Sequence, residues 1–400
     1  MRSPDALQLA SFDLAKDVQP IPIASGYTGA RVLVHCGERA LAIVTVGAEH
    51  GSVSPEALER ALLSQVGPQR LMIDRLLRAP APEPSVPLPP ISVVVCTRDR
   101  ADSLRRCLAA LARLEYPSFE VVVVDNASRD ATTREAAAGA GVRCVREDRP
   151  GLDWARNCGL RAASHELIAY TDDDVEVEPG WLRGIATAFA DPSVSAVTGL
   201  VLPGVLDTEA ELIFELYYGG MGNGVVPRRF EPRVLTTREL LAAHSCGVGA
   251  SMAFRRAHLL ALGGFDTALD VGTPTRGGGD LDIFHRTLAS GAVLVYTPAA
   301  RVRHHHRSEL AALRRQHRDN GRGFGCYLIA VLRRGDIPRL ATAAFALSWL
   351  RWLVGRIVAR FRQRERVAAP LWLAELLGAA QAPWATFAAR RSDRSLRRSR

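Results

Sequence analysis

The chain predicts an α/β protein, a sheet covered by helices on both faces, and three observations carry that expectation. Beyond residue 90, the runs 91–96, 119–124 and 167–170 are almost continuously apolar, as strands buried on both faces are. Segments with helical periodicity stand between them. A polar cluster with at least one acid follows each run, at the strand end where such sheets bind ligands.

Taken in order, the first 78 residues read as a small α+β appendage. Residues 31–35 and 41–46 alternate as two short strands around Cys36-Gly37-Glu38-Arg39, a hairpin. Ser54-Pro55-Glu56 reads as a capped helix start, with the helix running to about residue 63. The tract 79–90 carries six prolines and reads as a semi-rigid linker. Acidic residues interrupt any apolar core in the first 17 residues, so no signal peptide is expected. Seven cysteines with no CxxC or CxxH spacing read as buried thiols in a reducing compartment.

A longer stretch, 91–307, follows. The strand at 91–96 ends in Thr97-Arg98-Asp99-Arg100 and is followed by a helix at 103–114. The strand at 119–124 ends in Asp125-Asn126-Ala127-Ser128, ahead of a helix near 131–138, a strand at 142–145 and a helix at 152–163. The last strand runs into Asp172-Asp173-Asp174, before a turn at Pro179-Gly180. Three adjacent carboxylates repel one another unless a cation or strong donors lie between them. A solvated acidic turn is the plain alternative, and Asp99 and Asp125 taken singly suit helix caps equally well. No GxGxxG follows the first strand and no GxxxxGK[ST] occurs, which disfavours dinucleotide-binding and P-loop proteins.

ISVVVCTRDRADSLRRCLAAL, FEVVVVDNASRD, GLDWARNCGLRAA, YTDDDVEVEPGWL, GVGASMAFRRAHLLALGGFD and GGGDLDIFHRTLASG, in this order, resemble the family 2 glycosyltransferases. These are inverting enzymes of GT-A fold, with a Rossmann-like mixed sheet, that use nucleotide-sugar donors. The resemblance implies that Asp172 and Asp174, an Asp-x-Asp pair, hold Mn²⁺ or Mg²⁺ on the donor diphosphate, with Asp173 near the ribose or donor sugar. It implies a nucleoside pocket of Thr97, Arg98, Asp99 and Asp125, with Arg156 near the phosphates. Arg156 and Asn157 also suit the surface of an amphipathic helix. The family's base is an acid in a glycine-rich loop, commonly written Glu-Asp, which leaves Asp280 here because Gly279 stands at the glutamate position. Asp280 as a helix cap, and Asp282 as the base, are the alternatives. A histidine after the following strand serves relatives as a further metal ligand, which points to His304 and next to His306. Imidazole is the softer donor and favours Mn²⁺ over Mg²⁺.

Residues 208–218 read as a helix followed by a mobile glycine-rich loop. Trp181, Phe214, Tyr217 and Tyr218 suit either an acceptor platform or core. The remaining stretch, 308–400, reads as basic amphipathic helices. Between residues 301 and 366 stand 16 Arg against 4 acids, against a net charge of +9 for the whole chain. The segment 340–361 is expected to fail as a membrane span because Arg351 and Arg356 interrupt it. Its Trp349 and Trp352 and its Arg face suit either an anionic membrane surface or packing on the catalytic domain.

The sequence therefore predicts a metal-dependent inverting glycosyltransferase on the cytoplasmic side, peripheral to the inner face of the plasma membrane. Its partners would be a nucleotide-sugar donor and a hydroxyl acceptor, a glycan, lipid-linked or small molecule. Cell-envelope glycan, glycolipid or glycosylated-metabolite synthesis is the expected setting, and no nucleic acid is expected. The alternatives are a basic nucleic-acid-binding protein, from the Arg-rich end, and a non-catalytic sugar-nucleotide binder, from Gly279.

Overall fold

The computed structural model describes residues 2–16, 19–66, 88–362 and 369–398. The linker reading falls mostly outside them, since 67–87 are not described. The first unit holds β1 (Leu7–Asp13), β2 (Ile21–Pro22), β3 (Gly29–Cys36), β4 (Arg39–Gly47), β5 (Ser52–Val53) and α1 (Pro55–Val66). The expected hairpin is β3–β4, and Ser54 Oγ accepts a hydrogen bond from Ala57 N at the start of α1. An additional strand, β1, pairs parallel to β3. Leu33 and Ala40 of this unit pack against Leu200, Leu202 and Tyr296, joining it to the main sheet.

The main sheet begins with β6 (Ile91–Thr97), α2 (Ala101–Leu111), β7 (Phe119–Asn126), α3 (Thr132–Gly139), β8 (Arg143–Glu147) and α4 (Leu152–Ala162). It continues through β9 (Leu167–Asp172), β10 (Val175–Val177), α5 (Trp181–Phe189), β11 (Val194–Pro203) and the short α6 (Glu209–Leu212). Thr208 and Glu211 form a capping box that starts α6, and a π turn over Ile213–Tyr217 extends it. Then come β12 (Arg228–Phe230), α7 (Thr237–Leu241), β13 (Met252–Arg255), α8 (Arg256–Ala261), α9 (Gly279–Ala289) and β14 (Val293–His304). The strand order is β10-β14-β11-β13-β9-β6-β7-β8, with β12 also paired to β14. β8, β7, β6 and β9 run parallel and β13 antiparallel to β9, which makes the sheet mixed, as in a GT-A fold.

Alternate residues of one strand enter different cores. Val93 and Val95 join the cluster with Leu104, Leu111 and Trp181, whereas Val94 joins Leu160, Phe254 and Phe284. That is the physical reason for the unbroken apolar runs: both faces are covered. Trp181 is core, its Nε1 donating to Ser251 Oγ. All seven cysteines are free.

Three helices close the structure: α10 (Leu310–Arg334), α11 (Arg339–Arg362) and α12 (Ala369–Arg398). α10 and α12 approach closely because Gly321 faces the Glu375 backbone and Gly378 faces the Arg318 carbonyl, with no room for a Cβ at either. Ion pairs, Arg334 to Asp282 and Arg390 to Asp266, fasten the bundle to the part that carries the main sheet. The span expectation needs correcting. Residues 339–358 are long and apolar enough to cross a membrane by length and composition, with mean hydropathy 1.2, because three arginines in twenty residues, one of them at the very start, do not cancel the apolar remainder. The same helix buries Leu353 and half-buries Trp349 against neighbouring helices.

Candidate active site

Strand register creates the site. Thr97 of β6 pairs with Asp125 of β7, and Cys96 pairs with Asp172 of β9, so all three polar clusters meet at one sheet edge. Thr97 Oγ1 donates to Asp173 at 2.6 Å. Arg100 then spans two members of the triad, reaching Asp173 Oδ1 at 2.6 Å and Asp174 Oδ2 at 2.9 Å. His304, at the end of β14, brings its Nε2 to 3.4 Å from Asp174 Oδ1.

The three acids are not equivalent. Burial would raise Asp174, but His304 and Arg100 hold its carboxyl far below the ordinary range. Burial pushes Asp172 up to about 6, against the pull of Arg156. It pushes Asp173 up to about 6 as well, despite Arg100. No hydrogen bond or ion pair engages the Asp172 carboxylate among the described residues. Among these residues no cluster of three or more His, Cys, Asp or Glu is arranged to hold a metal ion. Hard divalent ions such as Mg²⁺ are commonly held by one or two carboxylates plus substrate phosphates, and the open Asp172 with Asp174 fits that donor set.

The three histidines have separate partners. His304 Nδ1 lies 3.1 Å from His306 Nδ1, and His306 Nε2 lies 3.6 Å from Glu215. Glu215 is 3.5 Å from Arg31 of the N-terminal sheet. His305 turns away to Glu176 at 2.8 Å. His306 thus backs His304 and does not approach Asp174 among the recorded contacts.

The expected nucleoside pocket is already partly occupied by its own side chains. Asp125 accepts from Ser128 N and pairs with Arg146 at 2.6 Å. Asp99, with φ +53°, accepts from Arg129 N and Arg129 Nε. Arg98 is exposed, 4.0 Å from Asp99.

Arg156 corrects the helix-surface reading: it is 4 % exposed, gripped by Asp153 at 2.9 Å and Asp270 at 2.7 Å. Asn157 is likewise buried, exchanging two hydrogen bonds with the Phe265 backbone. Arg156 lines a cleft of about 850 Å³ together with Asp172, Asp270 and Asp280. Asp280 lies in the first turn of α9, its carboxylate accepting from Gly249 N and Leu281 N. Burial and the Asp270 charge push its pKa up, against Arg156. Asp282 is fully buried between Arg286 and Arg334, so it has no part in the cleft. A Cβ on Gly279 would collide with the carboxylates of Asp153 and Asp270, which fill the place where a glutamate side chain would start.

Residues 92–259 match the family model of glycosyl transferase family 2. The chain carries a family 2 glycosyltransferase domain. Within that domain lie Thr97, Asp125, Arg156 and the acidic triad, whereas Asp280 and His304 fall beyond the matched residues. The pre-mycofactocin glycosyltransferase of Mycobacterium tuberculosis is 28% identical over 246 residues, 60% of this chain and 48% of that protein. Glycosyltransferase AglE of Haloferax volcanii is 32% identical over 108 residues, 25% of this chain and 36% of that protein. The chain thus spans about half or less of these curated relatives. A mannosyltransferase from Pyrobaculum calidifontis, solved with GDP-Man and Mn²⁺, aligns with TM-score 0.49 and 21% identity, over 82% of this chain and 99% of that one.

Three features of this site were not expected from the sequence. Arg100 was part of a noted cluster but had no role assigned, and it is the cation that steadies Asp173 and Asp174. Asp270 and Asp153 enclose Arg156 although Asp270 is far from both in sequence. The C-terminal helices supply one wall of the cleft through Phe345, Trp349, Trp352 and Trp372. Of the four aromatics left open, Phe214 and Tyr218 line the cleft, Trp181 is core and Tyr217 is exposed.

Proposed function

We propose that the protein transfers a sugar from a nucleoside-diphosphate donor to a hydroxyl acceptor with inversion at the anomeric carbon. One cleft lined by both Asp172 and Asp280 is the observation that supports this most. The Asp172–Asp174 end is suited to the leaving diphosphate, and Asp280 to the acceptor. Asp172 and Asp174, with His304 beside them, would hold Mn²⁺ or Mg²⁺, which stabilises the negative charge of the departing diphosphate. Asp280 removes the acceptor hydroxyl proton as the new bond to the anomeric carbon forms and the bond to the diphosphate breaks. Arg156, fixed by Asp153 and Asp270, supplies fixed positive charge to the cleft. Thr97 holds Asp173, and Asp99, Arg98 and Asp125 border the nucleoside side.

A melting-temperature screen of nucleoside diphosphates with Mn²⁺ tests this, because selective binding to the folded state raises the melting point. One nucleotide should stabilise strongly, and only with metal present. The shift should fade as pH drops below about 6, where Asp172 and Asp173 hold protons. Without metal the sign reverses: carboxyls raised on folding stabilise at low pH, and that contribution is lost as pH rises through about 6. Nucleotide stabilisation that ignores both metal and pH would reject the assignment of the triad.

The same proposal divides the chain into residues 1–78, the 79–90 linker, the 91–307 catalytic part and the 308–400 helical region, and sets the enzyme on a cytoplasmic, anionic membrane surface. Support for the last point comes from faces that the bundle leaves uncovered. On α11 Leu340, Leu347, Val354 and Val358 are exposed, and on α12 Trp384 and Phe387 are about two-thirds exposed, 70% and 68%. The protein is expected to sediment with anionic vesicles at physiological salt and not to be retained on duplex DNA. Leu347→Glu combined with Trp384→Glu should release it from vesicles, whereas retention of the variant, or preference for DNA, would refute the membrane reading.

A further inference from the structure

The half of the cleft built by the C-terminal helices is aromatic and carries no acidic triad. Phe324 and Trp349 rings lie 4.6 Å apart, and Tyr218, Trp372 and Trp352 form a second chain of contacts at 4.6 Å and 5.3 Å. All five line the cleft that also contains Asp280. A diphosphate and its cation gain nothing from such a wall, since desolvating charge against apolar rings is unfavourable. Flat aromatic surfaces that converge on one side of a ligand cleft suit an apolar body.

A second observation points to a ligand in the same place. His317 also lines the cleft and is 3% exposed, yet neither ring nitrogen has a hydrogen-bond partner. Glu375 stands 3.8 Å from Nδ1, beyond hydrogen-bonding distance, and Tyr218 covers the ring at 4.1 Å between centroids. Buried polar groups are normally satisfied, so an imidazole with no hydrogen bond within an aromatic wall marks a place for a polar atom of a bound molecule.

We infer that this half is the acceptor's binding site, and that the acceptor is a hydroxyl compound carrying an apolar body. The body lies on Trp349, Trp372 and their neighbours, a second polar atom meets His317, and the reacting hydroxyl reaches Asp280. The inference rests on the proposed transfer reaction and specifies its acceptor. Its chemistry covers both a lipid-borne and an aromatic alcohol.

Octyl β-D-glucoside, kept below its micelle-forming concentration, and glucose are the probes, titrated against the full chain with tryptophan emission as readout. Octyl β-D-glucoside should bind saturably, at least about tenfold more tightly than glucose, and Trp349→Ala and Phe345→Ala should each weaken it by about tenfold. Both variants should keep the melting shift given by nucleoside diphosphate and Mn²⁺, which shows that they are folded and the donor end is intact. Leu347→Glu with Trp384→Glu, on the outer faces, should bind the probe as the parent does. Equal binding of the two probes, unchanged affinity in the cleft variants, or loss in the outer-face variant would overturn the inference. If no nucleotide shifts the melting point while the probe still binds through Trp349 and Phe345, the donor reading fails and the apolar site stands. Replacing octyl by phenyl β-D-glucoside then distinguishes a chain from a ring as the preferred body.

Discussion

Asp280→Asn is expected to lower kcat by about 10²- to 10⁴-fold, the range lost when a positioned general base is removed. Asparagine keeps the size of the side chain, and its single amide oxygen can still accept from one of the two donors, Gly249 N or Leu281 N, so the turn that opens α9 should persist with one of its two side-chain bonds. Nucleotide binding should persist too, because Asp280 makes no contact with the triad among those recorded. The pH profile carries the sharper prediction. Burial and Asp270 raise the carboxyl's pKa, so the parent enzyme loses activity as pH falls through a value above the ordinary aspartate range. The variant's residual activity should show no such acidic limb. Turnover at the parent's rate would remove Asp280 from the reaction and return it to the role of a helix cap.

Asp174→Ala should weaken metal-dependent donor binding and cut kcat/KM by about 10²- to 10³-fold, matching several kcal/mol of charge stabilisation at the leaving group. Asp174 is the member of the triad that is ionised throughout the working range, held so by His304 and Arg100. Its removal also leaves Arg100 with Asp173 alone and His304 without its carboxylate. Calorimetric titration with Mn²⁺ and nucleotide separates loss of metal from loss of fold, and excess EDTA should reproduce the defect in the parent. Full transfer in excess EDTA would show that the carboxylates serve another purpose.

The fold and the triad were legible because parallel strands advertise themselves. Val93 to Val95 and Val122 to Val124 are apolar on both faces, and their register carries Thr97, Asp125 and Asp172 to one edge without further information. The strand β1 was not legible, since LQLASFD mixes polar residues into a half-exposed pattern. Arg100 reads in sequence as a solvated cation at a helix start, and only the fold brings it over the triad. The Asp153–Arg156–Asp270 group depends on two segments that share no local pattern. Gly279 looked like a lost acid, but the structure shows its lack of a side chain making room for two carboxylates. The helical character of 308–400 was legible, but the pairing of α10 with α12 was not, since the glycines whose meaning is close approach, Gly321 and Gly378, lie far apart in the chain.

The line of contacts from Arg31 through Glu215, His306 and His304 to Asp174 has a consequence for modularity. The N-terminal sheet lies outside the residues matched to the family, yet its arginine is the counter-ion at the far end of that line. Grafting residues 91–307 onto another protein would carry across the triad and Asp280. It would leave Glu215 as an unbalanced anion beside His306, and the donor end would inherit a different electrostatic ground. The natural unit of transplantation is therefore the catalytic part together with the sheet that precedes it.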